Sequence, residues 1–126
     1  MGLYYTQLTV PANGKAATTI SVEGEAVTRI EVRFPPGPQY LTGVRVSWGA
    51  VQIFPRPAGA YVFGDDEIVF DDMYFQLIEQ PTILTIEGVN YDQVYPHTVY
   101  IRIKTYEKRE EPVSRLAAAL SRLFGR

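Results

Sequence analysis

The chain has 126 residues, room for one domain with a real core, and 46% of them are hydrophobic, which sets it apart from disordered chains. It holds no cysteine and one histidine, so disulfide staples, zinc fingers, thiol catalysis and His-rich metal centres are excluded. Net charge is −2, with residues 107–126 at +2 and the preceding body at −4, and an acidic body argues against gripping nucleic acid.

The opening MGLYYTQLTV lacks a basic region, a long apolar run and a small-residue cleavage site, so no secretory signal is expected. No stretch approaches the ~18 apolar residues of a membrane span. Residues 3–10 alternate apolar and polar side chains and read as a first strand. Pro11-Ala12-Asn13-Gly14 is a turn, because Asn-Gly accepts positive φ. A second strand follows over 16–22. The third, 27–34, puts Ile30, Val32 and Phe34 on one face and Arg29, Glu31 and Arg33 on the other.

PPGPQYLTG, residues 35–43, carries too many prolines and glycines for a central ladder and reads as a loop. Strand patterns resume at 44–48 and 51–54, with PRPAG (55–59) as a second loop. FGDDEIVFDDMYF, residues 63–75, reads as a short strand over Glu67–Phe70 flanked by two aspartate pairs, with another strand over 73–79. Further strands fall at 82–89 and 97–107, the last turning Val99, Ile101 and Ile103 inward and Tyr100, Arg102 and Lys104 outward. About eight strands with regular turn signals and no helix between them predict a single antiparallel β-sandwich over 1–107, jelly-roll-like, with the Pro-rich loops crossing between sheets.

Residues 108–126 change character. KREE is a polar linker, and EEPVSRLAAALSRLFGR spaces Val113, Leu116, Leu120, Leu123 and Phe124 along one helical stripe, with Arg115 and Arg122 opposite. Pro112 suits a first helical turn, and the acids before it complement the helix dipole. A helix this short needs its stripe buried. It can pack on its own sandwich, dock into a neighbouring subunit or another protein, or lie on a membrane surface.

The carboxylates at 65–72 have three readings. Asp66 and Asp71 would stand ~16 Å apart on a straight strand, too far for one calcium ion, although one pair with Asp92 or Asn90 could still make a site. A glycosidase pair such as Glu67 with Glu87 or Asp71 with Glu79 is chemically conceivable, but nothing selects it. The simplest reading is that Asp65, Asp66, Asp71 and Asp72 cap strand ends, keep an edge soluble, or meet the arginines of a neighbour's tail. His97 lacks a G-x-S-x-G partner and reads as a structural hydrogen-bonder. No Gly-rich phosphate loop is present, so no cofactor and no catalytic residue is expected. Loop aromatics, including Tyr61 and Phe63, could stack on sugars or make protein contacts, and Trp48 and Phe54 read as core.

VRFPPGPQYLTGVRVSWGAVQIFP, FGDDEIVFDDMYF and LTIEGVNYDQVYPHTVYIRI together resemble small β-sandwich proteins encoded among the structural genes of tailed phages and prophages. The resemblance covers a little over half of the chain and does not include the terminal segment. It implies a non-enzymatic virion component, a capsid decoration (cement) protein or another head or tail part, present in many copies. Its partners would be copies of itself, with a trimer as one arrangement, and the major capsid protein or another virion protein. Contacts are expected from Tyr4 and Tyr5 on the first strand and from Val113, Arg115, Leu116, Leu120, Arg122, Leu123 and Phe124. A carbohydrate-binding sandwich is the alternative. Nine prolines and two methionines also fit a chain selected for heat resistance.

Overall fold

The computed structural model describes residues 2–107, so the expected helix at 113–124 and its contact residues lie outside the described residues. Nine strands are present there: β1 (Gly2–Val10), β2 (Gly14–Val22), β3 (Ala26–Phe34), β4 (Thr42–Trp48), β5 (Val51–Phe54), β6 (Val62–Phe63), β7 (Glu67–Gln76), β8 (Thr82–Asn90) and β9 (His97–Tyr106). They form two antiparallel sheets, one ordered β1-β9-β3-β7 and the other β2-β8-β4-β5, with β6 pairing the far end of β4. The all-β sandwich expected from the alternation is therefore what the chain forms.

The chain changes sheet at every connection except those joining β4, β5 and β6. Residues 35–41 cross between sheets as expected, whereas the PRPAG loop stays on one sheet and joins β5 to β6. Gln52 shapes that loop: its amide donates to the carbonyls of Pro55, Pro57 and Ala60, and its oxygen accepts the Gly59 N–H. Asn13 takes a φ of 50° in the β1–β2 turn and anchors it by donating to the Asp92 carbonyl at 2.7 Å.

The alternating residues of both sheets meet in one core. Phe34, Val32, Ile30, Ile101 and Ile103 from the first sheet pack against Val44, Val46, Leu84, Ile86 and Phe54 from the second. Burying each such side chain is worth about 1.5–3 kcal/mol, which drives closure of the sandwich. Trp48 sits at the core margin, edge-on to Phe75 at 6.1 Å, with its indole N–H on Glu79.

One expectation needs correction. Glu67–Phe70 and 73–79 are not two strands broken by the aspartates; β7 runs unbroken from Glu67 to Gln76. Asp71 and Asp72 are tolerated in mid-strand because each faces an arginine of the same chain. Arg56 donates to Asp71 at 3.0 Å, and Arg29 donates to Asp72 at 2.9 Å from the paired position on β3.

Candidate interaction surface

The outward side chains of the β1-β9-β3-β7 sheet fall into rows set by register. Tyr5, Arg102, Glu31 and Phe70 form one row, and Gln7, Tyr100, Arg33 and Ile68 the next. A third, nearer the chain's exit from β9, holds Leu3, Lys104, Arg29 and Asp72. Tyr5 is 64% exposed, and Ile68 and Phe70 are each 50% exposed, so the face presents apolar and aromatic surface where a lone soluble sheet would present polar groups. Between them lies an open groove of about 400 Å³, walled by Tyr5, Tyr100, Arg33 and Ile68.

Glu31 is the centre of the face and is 8% exposed. Arg29 donates to its Oε1 at 2.7 Å, and Arg102 reaches its Oε2 from β9. The hydrogen bond from Arg102, then that from Arg29, hold the carboxyl below its ordinary range against the opposing effect of burial. Arg29 also lies 3.8 Å from the centroid of the Phe70 ring. Such a clamp balances the charge of the acid and holds both guanidinium groups in place, that of Arg29 over the Phe70 ring. Aromatics and arginine are the residues enriched at protein interfaces. Arg33 and Lys104 have no ion pair among the described residues. Positions 2–106 contain seven basic and eleven acidic residues, and this face takes four of the basic ones but two acids, Glu31 and Asp72. It is a positive, partly apolar patch on an acidic body.

Sequence reasoning placed Arg29, Glu31, Arg33, Tyr100 and Arg102 outward but did not join them into a site. The alternation on β3 and β9 was the available signal; the missing fact was that these strands, 71 positions apart at Glu31 and Arg102, lie side by side. Of the two expected N-terminal contact residues, Tyr5 opens onto the groove. Tyr4 turns inward against the core, and its hydroxyl bonds the Glu23 backbone.

The remaining expected contacts are dispersed. Asp65 sits in the β6–β7 turn, where one carboxylate oxygen accepts the N–H groups of Gly37 and Gln39 at 2.9 Å, so it organises the PPGPQ loop. Asp66 is exposed with φ at 49°. Tyr61 and Phe63 belong to the other sheet's side: Tyr61 lies under the Arg45 guanidinium at 4.6 Å, and Phe63 stacks on Tyr91 at 6.2 Å.

At the end of the sandwich where β1 finishes, Asn90 is buried and fully used. Its amide donates to the carbonyls of Val10 and Tyr95, and its oxygen accepts from Thr42 and from the Asp92 N–H. Asp92 accepts from the N–H groups of Val94 and Tyr95 and contacts His97 Nε2 at 2.7 Å. These bonds, led by that of His97, hold the Asp92 carboxyl below its ordinary range. His97, Asp92 and Asn90 thus tie down the 91–96 loop. Among the described residues no group of three His, Asp or Glu is arranged to hold a metal ion.

No protein-family model matches the chain, and no curated protein sequence matches it.

Proposed function

We propose that the protein is a non-enzymatic assembly component of a virion, a capsid decoration protein that contacts copies of itself and the major capsid protein. The observation that carries this reading is the aromatic and arginine face of the β1-β9-β3-β7 sheet, built around the clamped Glu31. Its composition, rich in aromatic residues and arginine, is that of a contact surface. We further read the interleaved strand order as a jelly roll, in which each sheet takes alternate members of four antiparallel strand pairs. That architecture is frequent among capsid components and lectins.

The test is to raise antibody to the protein and purify particles, on a density gradient, from cells that carry its gene. The expected result is that it bands with assembled heads in many copies per particle, and that Tyr5→Asp with Ile68→Asp removes it from them. Its absence from particles sinks the reading.

Sugar binding is the second reading, favoured by Tyr40, Tyr91 and Tyr95, all more than 60% exposed at one end of the sandwich. Glycan-array binding that is lost in Tyr91→Ala and Tyr95→Ala would replace the virion reading.

A further inference from the structure

We propose that two copies of the chain join edge to edge through β1, antiparallel about a two-fold axis at Thr6, so that their β1-β9-β3-β7 sheets run on as one. Such a dimer forms in free solution and needs no capsid, so it stands or falls apart from the virion reading.

The two lateral sides of the sandwich are built differently. On one, Arg56 reaches from beside β5 to the Asp71 carboxylate and the Asp72 carbonyl of β7. Several devices that keep an edge from pairing are present there. β7 carries Glu67, Asp71 and Asp72. It is also bulged: Val27 faces Phe75 and Arg29 faces Asp72, so Met73 and Tyr74 stand against Thr28 alone. β5 and β6 are short, at four and two residues.

The other side is formed by β1 and β2, each an end strand of its sheet. Each is nine residues long and keeps an unbroken register, β1 with β9 and β2 with β8. Their eighteen residues hold one charge, Lys15, in a chain that is 21% charged. The two edges lie together, since the Tyr4 hydroxyl on β1 accepts the N–H of Glu23, just past β2, at 3.1 Å. Among the described residues no second strand pairs with β1. A long, regular, uncharged edge is a template for another strand.

A second copy fits this edge better than a lone peptide. Pairing β1 with itself about Thr6 matches all nine residues, with Tyr5 opposite Gln7 and Leu3 opposite Thr9. Those four are the exposed members of the strand, so this register keeps outward side chains outward and inward ones inward. No charge meets a like charge. β2 points the same way. Thr6 and Thr18, the middles of the two strands, each stand six positions from Ala12 in the turn between them. One axis therefore brings the β2 strands of both copies level with each other, with Lys15 level with Ser21 of the other copy. A peptide would cover β1 and leave β2 bare, whereas a second copy covers both. Growth stops at two, because the edges that remain are β7 and the short β5 and β6.

The test uses the full chain. Sedimentation equilibrium at high micromolar concentration is expected to give the mass of a dimer. Tyr5→Lys with Gln7→Lys sets lysine opposite lysine twice across the axis and is expected to weaken the dimer about a hundredfold. Tyr5→Glu with Gln7→Lys sets opposite charges at the same places and is expected to restore it. Both variants change the same two exposed positions, so damage to the fold would strike them alike. A monomer at every concentration, a trimer, a lysine pair as tight as the unchanged chain, or a Tyr5→Glu with Gln7→Lys variant that stays monomeric overturns the inference. Absence of the protein from particles would sink the virion reading and leave these masses untouched, while a monomeric chain that bands with heads would sink the dimer alone.

Discussion

Glu31→Gln tests whether the charge clamp holds the face together. The substitution keeps the shape of the side chain and one acceptor oxygen but removes the charge that two arginines share. Arg29 retains Asp72, while Arg102 loses its carboxylate partner. Hydrogen bonds to charged groups are worth about 1.5–3 kcal/mol each, and breaking a fully buried pair costs about 3–5 kcal/mol. Both guanidinium groups here keep some contact with water, which places the loss near the low end, about 2 kcal/mol at pH 7. For a domain of this size that lowers Tm by roughly 8 °C. The loss depends on pH with a definite sign. Because the folded-state pKa lies below the ordinary value of 4.5, the stabilisation is complete above that value and disappears as pH falls through the folded pKa. Urea unfolding of both proteins at pH 7 and near pH 3 should therefore show a gap that narrows in acid. Other carboxylates, Asp92 included, titrate in both proteins and cancel in the difference. A gap of equal size at both pH values, or none at pH 7, would refute the clamp as the source of stability.

Three further outcomes are expected. Gly64→Ala places a Cβ 2.5 Å from Cδ2 of Phe34, a ring with no exposed surface, and should cost about 1–3 kcal/mol in thermal unfolding; a neutral result would mean that Phe34 has room to shift. Asn90→Ala strips partners from Val10, Thr42, Asp92 and Tyr95 at once and should cost about 2–4 kcal/mol, with faster hydrogen exchange at the Asp92 amide; a loss below about 0.5 kcal/mol would show that water replaces the side chain. The 91–96 loop should stay ordered above the ordinary carboxylate range and loosen as pH falls through the depressed pKa of Asp92, seen as exchange of the Val94 and Tyr95 amides by NMR; loosening that begins near neutral pH would refute Asp92 as the controlling group.

The fold was legible where a local rule and a tertiary contact agree. β3 alternates cleanly because one side meets the core and the other meets water, so its residues could be assigned to faces from spacing alone. β7 shows the opposite case. Aspartate is a poor strand residue, and two in a row read as a break. The strand continues because Arg29 and Arg56 compensate them, and neither contact has any local trace in EIVFDDMYFQ. The face followed the same logic. Spacing gave the outward direction of Glu31 and of Arg102 separately, but a site exists because β9 inserts between β1 and β3.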